Sequence, residues 1–245
     1  MKAMILAAGL GTRLLPLSKD RPKALIPVAG SPLLEIVLRR LIAAGFDEII
    51  INAHHYAEQI SDFIHKHEFP DIRIEISVEE TLLDTGGGLK NAAWFFDDNR
   101  PFLLHNVDVL TDMDYSVLMN SQKRHSALAT LAVRKRKSSR YLLFDDQGKL
   151  CGWKSERDGK VIMAVPTKGR LQEFAFSGIH VISPKLFDYF EQEDIFSIID
   201  TYLKAAAQGA AIFAFPSDQW QWLDAGKLNN LQHAESLANS ILAKF

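Results

Sequence analysis

Cysteine is almost absent: Cys151 is the single one in 245 residues, so an internal disulfide framework is excluded. One thiol fits a reducing compartment, where its commonest use is as a small buried hydrophobe. No apolar run approaches the ~20 residues needed to span a bilayer. The chain passes straight from Met1 into a strand, with no leader-like apolar segment. A cytoplasmic location without membrane contact is the expectation. An excess of one charge sign is missing too. Basic residues number 28 and acidic ones 30, a net −2, so no broad basic surface for nucleic acid is expected. A Gly-x-Ser-x-Gly elbow is absent, which leaves no nucleophilic serine to propose. His54-His55 and His65-x-His67 lack the further ligands of a zinc site. What remains is 47% apolar and 24% charged, ordinary for a globular chain. The length suits one large domain with a proper core, or at most two small ones.

The densest signal lies in the first thirty residues. Met4-Ile5-Leu6 reads as a buried strand that breaks into Ala7-Ala8-Gly9-Leu10-Gly11-Thr12-Arg13, followed by Arg21-Pro22-Lys23-Ala24. Small residues after a strand let backbone N–H groups approach an anion. Arg13 adds a planar fork for phosphate and Lys23 a mobile point charge. The loop is not a Walker A motif, because the lysine of Gly-x-x-x-x-Gly-Lys is missing. Nor is it a dinucleotide fingerprint, because Leu14 stands at the third glycine.

Further along, Leu33 to Ile42 recur at helical spacing, opened by Ser31 as N-cap and closed by Gly45. Glu48 to Asn52 reads as a buried strand, Tyr56 to His67 as an amphipathic helix, and Ile72 to Val78 as an alternating strand. Leu83-Asp84-Thr85-Gly86-Gly87-Gly88 reads as a second glycine loop before a helix over Leu89 to Phe96. Pro101 to His105 is another strand, closed by Asn106-Val107-Asp108. This β-loop-α succession implies a mostly parallel sheet with helices on both faces. The second half reads as short strands over Ala127 to Val133, Arg140 to Phe144, Lys149 to Lys154 and Lys160 to Val165, then a long strand over Phe174 to Ile182. Helices over Pro184 to Phe190 and Phe196 to Ala207, a strand over Ala211 to Pro216 and a helix over Leu228 to Leu242 complete it. The basic run Arg134-Lys135-Arg136-Lys137 reads as a solvated strand end.

In an open parallel sheet, ligands bind at the carboxyl ends of the strands. Gly9 to Arg13, Asp84 to Gly88 and Asn106 to Asp108 all fall there, so they should line one crevice. Asp108 follows a buried strand and Asp224 follows the apolar Trp222-Leu223. Carboxylates in such places need a partner or a cation. Two aspartates could share one Mg²⁺, which usually takes one or two carboxylates plus phosphate oxygens.

These stretches resemble the motifs of the sugar-phosphate nucleotidyltransferases. Leu6 to Leu14 followed by Arg21-Pro22-Lys23-Ala24-Leu25 is similar to the family's opening A-(A/G)-G-x-G-(T/S/E)-R and P-K-x-(L/M) elements. Asn106-Val107-Asp108 resembles its (N/G)-x-D metal motif, and Trp222 to Gly226 its W-x-D-x-G motif with the second metal aspartate. Leu83 to Gly88 resembles the glycine loop whose backbone reads the nucleobase. Phe176-Ser177-Gly178-Ile179 resembles the segment lining the sugar pocket. Gly152 to Glu156 lies where many members carry a sugar-phosphate-contacting E-K-P element, but the proline is absent. Lys154 and Glu156 are therefore either sugar-phosphate contacts or a solvated hairpin.

The resemblance implies an α/β, Rossmann-like fold with a small inserted sugar-binding lobe. It divides the chain into a nucleotide-binding half, 1–110, a sugar-binding half, 111–226, and a C-terminal helix, 227–245. It implies that NTP and a sugar 1-phosphate give an NDP-sugar and pyrophosphate. Arg13, Lys23 and Asp108 would be catalytic, and Asp108 and Asp224 would hold Mg²⁺. Ala8, Gly9, Gly11, Thr12, Arg13, Lys23, Glu80, Thr85, Gly86, Gly87 and Asn106 would bind nucleotide. Lys154, Glu156, Ser177 and Gly178 would face the sugar. Among subfamilies, the N-acetylmuramate 1-phosphate uridylyltransferases, acting on UTP, are the most similar. Mannose-1-phosphate guanylyltransferase, or a nucleotide-sugar-binding regulator without catalysis, is the alternative.

Overall fold

Runs of buried β-branched residues build the centre of the molecule. The computed structural model describes residues 1–67, 69, 71–167 and 169–243. Strand β1 (Lys2–Leu6) is followed by the paired β2 (Pro27–Val28) and β3 (Ser31–Pro32), then α1 (Leu33–Ala43) and β4 (Glu48–Ala53). Next come α2 (Ala57–Lys66), β5 (Arg73–Val78), α3 (Asp84–Asn91), β6 (Phe102–Asn106), β7 (Val109–Thr111) and α4 (Tyr115–His125). The second half runs β8 (Ala129–Arg134), β9 (Arg140–Phe144), β10 (Leu150–Ser155), β11 (Val161–Met163) and β12 (Gln172–Ile182). It ends with α5 (Ile198–Ala207), β13 (Ile212–Pro216), β14 (Trp222–Asp224) and α6 (Leu231–Leu242).

The main sheet has the order β11-β10-β9-β12-β6-β1-β4-β5, with β8 beside β12 and β13 beside β8. Its centre, β6-β1-β4-β5, is parallel. Ile49, Ile50 and Ile51 are buried without alternation, as strands covered on both faces must be. The crossover helices supply the covers. Val37, Leu41, Ile60, Phe63 and Leu118 pack one face, and Leu89, Tyr202, Leu203 and Ala206 pack the other. This is the expected α/β architecture, parallel at its centre with helices on both faces. The second half adds mostly antiparallel strands to this sheet, joined through β12, which pairs with β6, β8 and β9, while β13 runs parallel to β8. Among the described residues no helix is long and apolar enough to cross a membrane.

Four local expectations are corrected. Ser31 does not cap α1: it pairs with Val28, and α1 starts after Pro32 with no side-chain cap. Gly86, Gly87 and Gly88 form no loop but lie inside α3. Strand β7 was not anticipated; it pairs antiparallel with β14, setting Val109 opposite Asp224. Three-residue strands are too short to show a period, which is why this ladder left no trace in the pattern. Arg134 is not merely solvated, since it donates to the Ser217 and Trp220 carbonyls (2.5 and 2.8 Å) and ties β8 to the segment before β14. The C-terminal helix is seen to Leu242, while residues 244–245 of that expected unit lie outside the described residues.

Two buried histidines tie the sheet to a helix on each face. His105 on β6 lets Nδ1–H donate to the Asn106 carbonyl (2.8 Å), and its Nε2 accepts from Tyr115 of α4 at 3.0 Å. On β12, His180 Nδ1 meets the Tyr202 hydroxyl of α5 at 2.5 Å. Burial disfavours the charged imidazole, pushing His105 down to about 4 and His180 to about 3. Both therefore stay neutral in the fold while the unfolded chain protonates near pH 6.5. Between those values the unfolded state binds more protons, so stability is lost as pH falls below 6.5. The loss expected is about 1 kcal/mol per pH unit per histidine. Thermal unfolding at pH 7.5 and 5.0 checks this. The midpoint falls with pH, and the fall is smaller in His180→Asn, whatever that variant's stability at pH 7.5.

Candidate active site

The ends of β1, β4 and β6 point into one cleft, and each loop brings a distinct group to it. The loop after β1 turns at Gly11, whose φ of +68° puts it in the left-handed region. A Cβ there would press on the Cβ atoms of Lys23 and Ser18, both at 3.1 Å. The Ser18 hydroxyl donates to the Gly11 carbonyl (2.8 Å), which folds the loop back on itself. That fold lays Lys23 across Gly9, 3.4 Å from where a Cβ would sit. The sequence motif is thus a device for delivering a lysine beside the end of β1.

A cavity of about 590 Å³ opens there, lined among others by Ala8, Gly9, Arg13, Lys23, Thr85, Asn106 and Asp108. These seven expected residues converge from four separate stretches of chain. Gly11 and Thr12 lie in the supporting turn and not on the cavity wall. Asn52 and Glu79 also line the cavity; the sequence pattern did not single out Asn52, whereas Glu79 stands with Glu80 where the resemblance expects a residue near the base. Asn52 Oδ1 accepts from the Ala8 amide (3.2 Å), and its Nδ2 donates to Glu79 Oε1. Glu79 Oε2 accepts from the Leu83 amide at 2.9 Å. Glu80, the expected neighbour of the base, faces a separate surface depression beside Thr81 and Lys90. Adjacent residues leaving a strand point opposite ways, so only one of the two glutamates can enter the cleft.

Electrostatically the site is an alternating row. Lys23 Nζ donates to Asp108 Oδ2 at 2.9 Å. Arg13 bridges the two aspartates, with Nη2 3.8 Å from Asp108 Oδ2 and Nη1 3.6 Å from Asp224 Oδ2. Lys227 Nζ closes the row 3.5 Å from the same Asp224 oxygen. Asp108 is 6% exposed, so its charge is sustained by these cations. The β7–β14 ladder sets the spacing, and the Ala225 amide donates to the Asp108 carbonyl (2.8 Å). Lys227 carried no motif signal. The pattern that ended at Gly226 stopped one residue short of it.

The two carboxylates converge on one point. A Cβ on Gly226 would collide with Asp108 Oδ2 and lie 2.9 Å from Asp224 Oδ1. Among the described residues no group of three acidic, histidine or cysteine side chains could hold a metal. Two carboxylates with phosphate oxygens and water are nonetheless what Mg²⁺ commonly takes. The Arg13 guanidinium bridging them shows that the pair accepts a cation in that position. Asp108 and Asp224 therefore fit a divalent ion.

Three expected groups behave otherwise. The amides of Gly86 and Gly87 donate to the Phe196 carbonyl (3.0 and 3.3 Å), so they are not free to read a base. A Cβ on Gly86 would strike the Phe196 ring, and one on Gly87 the Asp194 carbonyl. The glycines serve close packing of α3 against the 194–196 segment. Lys154 lies outside the cavity, paired with Glu156 (2.7 Å) and Glu173 (3.2 Å). Its strand neighbour Trp153 instead faces a second cavity of about 440 Å³ with Tyr141, Arg140 and Phe176. Gly178, at φ +75°, packs where a Cβ would sit 2.7 Å from Asn106 Nδ2. Ser177 is buried, its carbonyl accepting from Trp222 Nε1 (2.8 Å) while its hydroxyl has no partner among the described residues.

The chain was compared with known proteins. It is 29% identical over 246 residues to the UTP–glucose-1-phosphate uridylyltransferase of Synechocystis, covering 93% of this chain and 61% of that protein. It thus spans under two thirds of that relative. It is 31% identical to the N-acetylmuramate alpha-1-phosphate uridylyltransferase of Neisseria meningitidis, covering 98% of this chain and 99% of the relative. Over 137 residues, 55% of this chain and 38% of the other, it is 36% identical to a mannose-1-phosphate guanyltransferase of Hypocrea jecorina. A crystal structure described as a putative glucose-1-phosphate thymidylyltransferase from Bacillus anthracis shares the fold at TM-score 0.78 and 20% identity, covering 97% of this chain and 95% of that one. The Nucleotidyl transferase family profile matches residues 2–240, nearly every element that builds the cleft, and the chain belongs to that family as a sugar-phosphate nucleotidyltransferase.

Proposed function

We propose that the protein joins UTP and N-acetylmuramate 1-phosphate, giving the UDP-sugar and pyrophosphate. The single observation that carries the reaction class to these residues is the alternating row Lys23–Asp108–Arg13–Asp224–Lys227 at the carboxyl edge of the sheet. The substrate choice rests on likeness over full length to the uridylyltransferase from Neisseria meningitidis. In this reading 1–110 binds nucleotide, 111–226 binds sugar, 227–245 is the C-terminal helical unit, and the protein works in the cytoplasm.

The nucleotide lies in the cavity between Ala8, Asn52, Glu79 and Thr85. Its phosphates reach Lys23 and Arg13. The sugar-phosphate oxygen attacks the α-phosphorus in line, and pyrophosphate leaves. No covalent intermediate on the protein is needed, so catalysis is positioning and charge stabilisation. Lys23 stabilises charge at the α-phosphate, and Arg13 holds the departing pyrophosphate. A bound Mg²⁺, held by Asp108 and Asp224, would neutralise charge on the phosphate oxygens.

Asp108→Asn is expected to abolish Mg²⁺-dependent turnover while the circular dichroism spectrum stays that of the wild type. The amide keeps the shape of the carboxylate and an oxygen that can still accept from Lys23, although Lys23 loses its anionic partner. Wild-type turnover in this variant would remove Asp108 from the chemistry. Arg13→Ala is expected to lower kcat at least ~10²-fold, because a charge-assisted contact to the leaving group is lost.

Base selection follows from fixed polar groups around the cavity. A base of the wrong shape leaves such groups unpaired at roughly 1–3 kcal/mol each. That corresponds to about tenfold to a hundredfold preference. The Ala8 methyl, where related loops have a second glycine, narrows the approach to base or ribose. With UTP and GTP at equal concentration, product mass is expected to show UDP-sugar in excess. A clear excess of GDP-sugar would transfer the assignment to a guanylyltransferase and leave the reaction class standing.

A further inference from the structure

We infer that Lys227 binds the phosphate of the sugar 1-phosphate, the task that sequence comparison would give to Lys154. The inference rests on the reaction proposed above and adds a residue that neither the motifs nor the cavity lining singled out.

The first observation is that Lys154 is committed elsewhere. Its ammonium is held by Glu156 at 2.7 Å and Glu173 at 3.2 Å, and it lines neither the nucleotide cavity nor the aromatic cavity beside Phe176. The proline that would redirect this segment is absent, and the hairpin keeps its own charges satisfied. Some other cation must meet the acceptor phosphate.

The second observation is the order of the charge row. Lys23, Asp108 and Arg13 line the nucleotide cavity, whereas Asp224 and Lys227 do not. They form the end of the row that lies beyond it. A nucleotide seated in the cavity occupies the Lys23 end. Lys227 is the cation of the row that stands beyond the cavity, and so the one that the nucleotide leaves for a second phosphate.

The third observation is that Lys227 is loosely held. Its Nζ stands 3.5 Å from Asp224 Oδ2, an ion-pair distance beyond the usual hydrogen-bond range, and its side chain is 54% exposed. An ammonium carries three donors in flexible reach, which suits a phosphate that arrives and leaves. Behind Asp224 the charge is reinforced. Arg136 lies 4.5 Å over the Trp222 ring and donates to the Phe176 carbonyl at 3.0 Å. It is fixed in place, contrary to the solvated role its sequence suggested.

The test compares Lys227→Ala, Lys227→Arg and Lys154→Ala with the wild type. Pyrophosphate release is measured with UTP and GTP against N-acetylmuramate, glucose and mannose 1-phosphates, and KM is determined for both substrates of the best pair. Lys227→Ala is expected to raise KM for the sugar 1-phosphate ~10-fold or more, as loss of a charge-assisted bond predicts. KM for the nucleotide should stay within about twofold, because the nucleotide meets the other end of the row. Lys227→Arg should restore most of the loss, and Lys154→Ala should change neither KM. In parallel, ³¹P NMR titration of nucleotide-free protein with inorganic phosphate should show weaker binding in Lys227→Ala. An unchanged acceptor KM, equal rises in both KM values, or an acceptor-specific rise in Lys154→Ala would each overturn the assignment. Absence of pyrophosphate with every wild-type pair would count against the proposed reaction. The phosphate titration would then still decide on Lys227, since equal binding by wild type and variant removes it from the site.

Discussion

The ion pair between Asp108 and Lys23 is the constraint around which the rest is arranged. A carboxylate that is 6% exposed costs several kcal/mol unless a cation comes with it. The cation comes from 85 residues away and must itself be buried, since its side chain is 14% exposed. The loop that carries it is therefore held down along its length. Leu14, Ala24 and Ile26 sink into the interior, and Ser18 fastens the turn at Gly11. Arg13, riding on the same loop, is placed between the aspartates by the anchoring that serves Lys23. One electrostatic requirement thus accounts for the glycine pattern, the buried loop residues and the position of the second basic group.

The fold was largely legible because its strands are apolar and its crossover helices amphipathic, two periods that a sequence displays directly. The convergence of Gly9, Asn106 and Asp108 followed from where strands end. What stayed hidden depends on side-chain direction or on partners remote in sequence. Glu79 and Glu80 are equivalent as letters, yet only the first turns inward to Asn52. Lys154 has a lysine's chemistry, but two glutamates claim it. Arg134 and Arg136 sit in what reads as a charged surface run, yet their guanidinium groups cap carbonyls of other segments. Lys227 has no signature at all, because its meaning comes from Asp224, which the short β7–β14 ladder fixes in space.

The glycines show how one letter carries different physical content at different sites. Gly11 and Gly178 occupy backbone regions that side chains avoid. Gly226 has no such need, but any side chain would occupy the point on which the two carboxylates converge. Gly86, Gly87 and Gly88 are helical, a conformation that costs glycine roughly 1 kcal/mol against alanine. They are tolerated because Phe196, Asp194 and Glu79 leave no room for a methyl group. A glycine run beside a cleft is thus compatible with tight helix seating.

Strand β12 ties the two halves in a way that limits how the cleft can work. Its Ile179–Ile182 end is hydrogen-bonded to β6 in the parallel centre, and its Gln172–Phe174 end to β9 in the outer hairpins. Between them lie Ser177 and Gly178, packed against Trp222 and Asn106. A hinge that parted the halves would have to tear a ladder, at the cost of many backbone bonds in one step. The enzyme behaves less like a pair of jaws than like a harbour with fixed walls. What is left to move within those walls is side chains: long, exposed basic arms such as those of Arg13 and Lys227, which can swing without the masonry moving.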